Sequence, residues 1–262
     1  MMVFDFSGKN ALVTGAGSGI GRAVALQFAE AGANVWVGDI SGDNAAGAVA
    51  EMGRHGGSYG FTVVDVSRKD DLTVMFAGAA RAFGRIDIVV NSAGVFMTRH
   101  LIEATPEEIK RHLDINLMGA VYGCQLALET MIRQGGGGKI VNIASVGGRH
   151  GELDFPYYAL GKAGVLNWTQ SVAYNAAPHG INCNAVCPGI IRTPMWESIL
   201  EAVAGEGADR DALFDEMLKS RTPLGRAQTG EEMAYAVLFL SSGYADAIVG
   251  QALNVCGGSV MS

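Results

Sequence analysis

At 262 residues, 49% apolar and 17% charged, the chain can bury a sizeable core and lacks the polar bias that keeps segments disordered. A net charge of −7 argues against a nucleic-acid partner, which would want clustered lysine and arginine, and no apolar run reaches the roughly 18 residues needed to span a membrane. The start, Met1-Met2-Val3-Phe4-Asp5-Phe6, has neither the basic nor the long apolar stretch of a secretion signal, so a cytoplasmic protein is expected. Its four cysteines, Cys124, Cys183, Cys187 and Cys256, lack metal-ligand spacing and read as buried, reduced thiols, with no metal site implied.

Short β-branched runs alternate with longer amphipathic stretches along most of the chain. A strand at 11–13 runs into Thr14-Gly15-Ala16-Gly17-Ser18-Gly19-Ile20-Gly21 and a helix at 20–31; a strand at 34–37 is followed by Asp39 and a helix at 43–54. Next come a strand at 60–64, a helix at 70–83, a strand at 86–90 and a long helix at 106–133. A strand at 139–143 precedes Ser145, a helix at 158–177 begins with Tyr158, and strands at 181–186 and 253–255 flank a helix at 230–242. This alternation predicts an α/β fold, a Rossmann-type doubly wound parallel sheet of about seven strands with helices on both faces, in one domain over 1–262. The segment 193–222 breaks the pattern. It carries Met195, Trp196, Leu200, Leu213, Phe214 and Met217 just beyond a strand's carboxyl end, which favours a substrate lid over a plain surface hairpin of helices.

Strand, glycine turn and helix in that order point to a dinucleotide site, a signal that gains weight from Asp39 after the second strand. Glycine permits the tight turn and close approach of a pyrophosphate, and the helix N-terminus offers unpaired N–H groups to it. Asp39 stands eighteen residues past Gly21, where a carboxylate can accept from an adenosine ribose; its other reading is an ordinary helix cap or turn acid. A carboxylate there would repel a 2′-phosphate, and neither Ser18 nor Ile40 supplies a compensating charge, so NAD is the expected cofactor.

Tyr158 and Lys162 are four residues apart and share a helix face. A phenol that titrates near ~10 needs a neighbouring cation to act as a base near neutral pH, and Lys162 together with a positive nicotinamide ring would lower it. Ser145 can hold the substrate oxygen while Tyr158 exchanges the proton. Tyr157 is the competing phenol, but no lysine lies four residues beyond it.

Taken together, these motifs resemble the short-chain dehydrogenase/reductase family over essentially the whole chain. Thr14 to Gly21 matches its T-G-x-x-x-G-x-G, Asn91-Ser92-Ala93-Gly94 resembles its N-N-A-G, Asn116 its mid-helix asparagine, and Pro188-Gly189 the pair after the sixth strand, beside Ser145, Tyr158 and Lys162. Ser92 and Gly161 depart from the usual asparagine and serine. The resemblance implies that Gly15, Ser18, Gly19, Ile20, Gly21, Asp39 and Ile40 hold the pyrophosphate and adenosine ribose, Asp65 and Val66 the adenine, and Asn91, Ala93 and Gly94 the adenosine and nicotinamide-ribose side. Lys162 would bind the nicotinamide ribose, Pro188, Gly189, Ile191 and Thr193 would adjoin the carboxamide, and Asn116 would hold a water on the proton path from Tyr158 through Lys162. Asn116 can also be read as a structural amide that kinks its helix.

For the substrate, Ser145, Gly147, His150, Glu152, Tyr158, Met195 and Trp196 are the candidates, although His150 and Glu152 also read as a solvated loop. The Thr193-Pro194-Met195-Trp196-Glu197 string resembles polyol and vicinal-diol dehydrogenases of the family, acting on sorbitol, galactitol and 2,3-butanediol or acetoin. The alternatives are a 3-oxoacyl-thioester reductase, disfavoured by Asp39 and the acidic Glu197, Glu201 and Glu206, and a protein that binds NAD without turnover. Surplus apolar residues on the 106–133 and 158–177 helices, with the last strand, suggest the family's homotetramer.

Overall fold

Strand β1 (Asn10–Thr14) is buried along its whole length, as a strand covered on both faces must be. In the computed structural model, which describes residues 4–204 and 208–261, it lies near the middle of a seven-stranded sheet. Met1-Met2-Val3 and Glu206, invoked above, lie outside the described residues. The other strands are β2 (Asn34–Asp39), β3 (Tyr59–Val63), β4 (Ile88–Asn91), β5 (Gly138–Ile143), β6 (Ile181–Pro188) and β7 (Ala252–Val255). Their order is β3-β2-β1-β4-β5-β6-β7, and every neighbouring pair is parallel. The chain therefore winds outward in both directions from the β1–β4 pair, and the crevice at that reversal is where such sheets bind ligands.

Alternating side chains feed two separate cores. Val13, Val37, Val90 and Val141 face one layer with Val24, Phe28, Met233 and Val237, while Leu12, Val89 and Ile140 face the other with Met75, Cys124, Met131 and Val172. The first layer is supplied by α1 (Gly19–Glu30), α2 (Gly42–Met52) and α9 (Gly230–Ser241). The second is supplied by α3 (Lys69–Phe83), α5 (Gly119–Gln134) and α6 (Pro156–Ala176). All four cysteines are buried and unbridged. Among the described residues, no helix is long and apolar enough to cross a membrane.

Two segments are more articulated than periodicity alone suggests. The single long helix expected at 106–133 is α4 (Pro106–Leu113), a widened π-type turn over Asp114–Met118, and then α5. The 193–222 segment forms α7 (Pro194–Val203) and α8 (Arg210–Arg221), which with Ile190 build a small core of their own from Leu200, Phe214 and Leu218.

Candidate active site

The glycine turn sits at the carboxyl end of β1. Gly15 has φ +64°, and a Cβ there would come within 2.6 Å of the Ala93 Cα, so chain packing as well as conformation demands glycine. A Cβ on Gly21 would collide with the Gly15 carbonyl. Ser18, just before α1, is extended and its side chain makes no capping bond, which leaves the first-turn N–H groups of this helix for an anionic ligand. Asp39 accepts from the Gly17 N–H through Oδ2 and from the Ser41 N–H through Oδ1, both at 2.9 Å. The Ser41 side chain, not Asp39, caps α2, while the bond from the Ser41 N–H to Asp39 Oδ1 is that of a turn acid. The carboxylate instead braces the glycine turn, and its remaining lone pairs stay available to a ligand.

From this turn a cleft of about 550 Å³ runs across the carboxyl edge of the sheet. It brings together Gly15, Ser18, Gly19, Ile20, Gly21, Asp39, Ile40, Asp65, Val66, Ala93 and Gly94 on one side with Ser145, Tyr158, Lys162, Pro188, Gly189, Ile191, Thr193, Met195 and Trp196 on the other. An uncapped helix N-terminus, a glycine floor and a carboxylate at the far end suit a pyrophosphate and a ribose, so the residues present fit a nicotinamide dinucleotide.

Ser145 follows β5, and its Oγ accepts from the Gly147 N–H at 3.1 Å while also bonding to the Tyr158 hydroxyl. Tyr158 packs against Phe96 and Phe155, with ring centroids 5.1 Å and 6.2 Å away. One turn along α6, Lys162 is 4% exposed; its ammonium donates to the Ile143 carbonyl at 2.8 Å and lies 5.7 Å from the centre of the Tyr158 ring. Loss of solvation pushes the Tyr158 phenol up to about 12, against the opposing pull of the Ser145 bond, and pushes Lys162 down to about 8. The expected lowering by Lys162 together with a nicotinamide ring is opposed, within the protein alone, by burial of the phenol.

Several expected residues stand elsewhere. Asn91 does not line the cleft; its amide is turned into the sheet and donates to Asn142 Oδ1 at 2.8 Å. Asn116 also lies behind the lining. Its Oδ1 accepts from the Val95 N–H at 3.1 Å and its Nδ2 donates to the Val95 carbonyl at 2.9 Å, so the amide secures the loop after β4. It remains close to the lysine, since a Cβ on Gly94 would lie 2.9 Å from Asn116 Oδ1 and 3.6 Å from Lys162 Nζ. Gly147 sits directly against Ser145 through its N–H, and the His150–Glu152 pair lies just beyond, with His150 Nδ1 3.7 Å from Glu152 Oε1 and that oxygen 3.6 Å from where a Gly147 Cβ would stand. Arg149 turns away and donates to the Ala252 carbonyl of β7 at 2.6 Å. The Tyr157 hydroxyl donates to the Leu101 carbonyl at 2.6 Å, which leaves Tyr158 as the phenol in the cleft.

Sequence reasoning missed Phe96, Phe155 and His112. The two phenylalanines carry no motif, and their loops meet only in the fold, with ring centroids 5.2 Å apart. His112 had one available signal, its position four residues before Asn116 on a predicted helix.

Fold and cleft together define an oxidoreductase that uses a nicotinamide cofactor. A family profile described as enoyl-(acyl carrier protein) reductase matches residues 15–260. A 3-oxoacyl-(acyl-carrier-protein) reductase of Thermotoga maritima is 37% identical, with 97% of this chain and 98% of the relative covered. A sorbitol dehydrogenase of Cereibacter sphaeroides is 36% identical with the same two coverages. The crystal structure of L-sorbose reductase from Gluconobacter frateurii, complexed with NADPH and L-sorbose, superposes with a TM-score of 0.94 at 28% identity over 100% of both chains. The chain belongs to the short-chain dehydrogenase/reductase family, whose members are oxidoreductases acting on CH–OH groups.

Proposed function

We propose that this protein is an NAD-dependent dehydrogenase of secondary alcohols, acting on a polyol or vicinal diol. The observation that carries the reading is the placement of Ser145, Tyr158 and Lys162 in one cleft with the uncapped α1 terminus and Asp39. Ser145, oriented by the Gly147 N–H, holds the substrate oxygen, and Tyr158 takes the alcohol proton as the carbonyl forms. Lys162, fixed by the Ile143 carbonyl, keeps further N–H groups for the nicotinamide ribose and for the proton path that passes Asn116. Asp65 and Val66 adjoin the adenine, while Ile191 and Thr193 meet the carboxamide. When bound, NAD⁺ supplies the hydride acceptor and the positive charge that offsets the desolvation of the Tyr158 phenol.

Asp39 supports NAD over NADP, because it lines the glycine-turn end of the cleft and a 2′-phosphate there would meet a carboxylate. The thioester-reductase alternative would dock an acidic carrier on basic residues. Here three arginines around the lid are committed to carboxylates: Arg192 to Glu197 and Asp211, Arg210 to Glu201, and Arg221 to Asp154. A sorbitol dehydrogenase and an L-sorbose reductase among the similar proteins are in keeping with the polyol side, beside a 3-oxoacyl reductase of like identity. Apolar groups left exposed on α6 and β7, Leu160, Tyr174 and Leu253, support a homotetramer, and the buried thiols suit a reducing cytoplasm.

The test is a panel of polyols, vicinal diols and 3-oxoacyl thioesters, each with NAD(H) and NADP(H), followed by NADH or NADPH absorbance. The expected result is at least about tenfold preference for NAD, in line with one lost charged contact, and turnover of diols or polyols. Preference for NADPH with a thioester would overturn it.

A further inference from the structure

At its substrate end the cleft is lined by Phe96, Met195 and Trp196. Phe155 packs on Phe96, with ring centroids 5.2 Å apart, and Trp196 packs edge-on against Phe214 of α8 at 5.9 Å, so both aromatic surfaces are braced from outside the cleft. The loops that supply Phe96 and Phe155 also leave apolar side chains in water: Leu101 and Ile102 after β4, and Leu153 before α6, with Ile102 93% and Leu153 88% exposed. The bond from the Tyr157 hydroxyl to the Leu101 carbonyl ties the first of these loops to the start of α6 beside Tyr158. Apolar groups left in water around a cleft mark a surface that binds something apolar.

Polar partners are scarce at this end. Ser145 and Tyr158 serve the reacting oxygen. Thr193 caps α7 by accepting from the Trp196 N–H, the Ser198 hydroxyl donates to the Pro194 carbonyl, and Glu197 accepts from Arg192 at 2.7 Å. The next acceptor beside Ser145 is Glu152: its Oε1 and Ser145 Oγ stand 3.6 Å and 3.5 Å from the same point, the place a Gly147 Cβ would take. A hydroxyl next to the reacting carbon can therefore be met, whereas the further hydroxyls of a sugar alcohol would lose their water against apolar walls without a partner.

We propose that the substrate is a vicinal diol, or the matching hydroxyketone, that carries a bulky apolar substituent of ring size. Its two oxygens meet Ser145, Tyr158 and Glu152, and its substituent lies against Phe96, Met195 and Trp196. The inference rests on the secondary-alcohol reading above and selects the diol over the polyol within it.

The test compares styrene glycol, propylene glycol and sorbitol, which present a phenyl group, a methyl group and a hydroxylated chain beside the same diol. Each is measured by kcat/KM with oxidised cofactor, and by calorimetric binding to enzyme saturated with reduced cofactor, where no diol turns over. Styrene glycol should exceed propylene glycol by about thirtyfold in both, the factor that about 2 kcal/mol of ring burial yields, and should exceed sorbitol by at least as much. Phe96→Ala and Met195→Ser, on separate elements, should each shrink the phenyl-to-methyl ratio at least about threefold, while Glu152→Ala should weaken both diols by a common factor of about ten and keep the ratio. Sorbitol bound as tightly as styrene glycol, a phenyl-to-methyl ratio near one, or a ratio that neither wall variant moves would overturn the proposal. Ring-selective binding without turnover of any diol would strike the dehydrogenase reading and leave this inference standing; turnover of sorbitol without ring preference would do the reverse.

Discussion

The two ends of the cleft are built by different means. At the cofactor end, the glycine turn, α1 and Asp39 lie within one βαβ unit and are constrained by backbone geometry: Gly15 has no room for a side chain, and Asp39 is tied to the Gly17 N–H. At the substrate end, Phe96 comes from the loop after β4, Phe155 from the loop before α6, and Met195 and Trp196 from α7. Those pieces meet only because β4, β5 and β6 are neighbours in the sheet. The dinucleotide end is thus local and tightly constrained, whereas the substrate end is non-local and free to vary without disturbing the sheet.

The largest effect that can break this comparison is at the reacting centre between the two ends. Tyr158→Phe removes the proton acceptor and should lower kcat by about 10³-fold, equivalent to roughly 4 kcal/mol, while leaving cofactor affinity unchanged by equilibrium titration. A smaller loss would mean that the proton goes elsewhere.

Stability should respond next, through His112. Its folded value of about 4 lies below the unfolded value of about 6.5, so between these limits the unfolded chain binds more protons. The neutral ring's contribution is therefore fully present above about 6.5, falls as pH drops, and is gone below about 4, amounting to about 3 kcal/mol over that window. Thermal unfolding at pH 7 and pH 5 should show a steeper loss in the wild type than in His112→Phe. Equal losses would contradict a buried neutral histidine.

At the cofactor end, Asp39→Ala should cost about 2 kcal/mol in NAD affinity, the worth of a hydrogen bond to a charged group, and should narrow the NAD-to-NADP preference by about ten- to thirtyfold. If the preference stays the same, another group sets it. The smallest effect belongs to the lid surface: Arg192→Ala breaks exposed pairs with Glu197 and Asp211 and should change stability by under about 1 kcal/mol in denaturant titration. A much larger loss would make the lid part of the cooperative core.

The parts legible in the sequence follow this same division. All seven strands stand close to their expected positions because each combines β-branched residues with a flanking turn, and Tyr158 and Lys162 could be paired from their four-residue spacing. The motif around Asn91 says nothing about the direction of its amide, which the neighbouring Asn142 on β5 decides. His150 and Glu152 can be placed near Ser145 from the chain alone, but only the fold sets Glu152 Oε1 and Ser145 Oγ about the same glycine, 3.6 Å and 3.5 Å from where a Gly147 Cβ would stand. Periodicity does not show the widened turn at Asp114–Met118, because a single added residue per turn hardly alters it over so short a stretch; only the reading of Asn116 as a helix-kinking amide points to it.

By itself, the sequence determined the doubly wound sheet, the dinucleotide turn with its glycines and Asp39, and the Ser145, Tyr158 and Lys162 set, because each depends on residues close in the chain and on backbone rules that hold anywhere. Only the tertiary structure decided that burial pushes the Tyr158 phenol up, that Asn116 clamps Val95, and that His112, Phe96 and Phe155 surround the Tyr158 ring. Desolvation and ring contact depend on which distant segments the sheet order brings side by side, and no spacing along the chain encodes that.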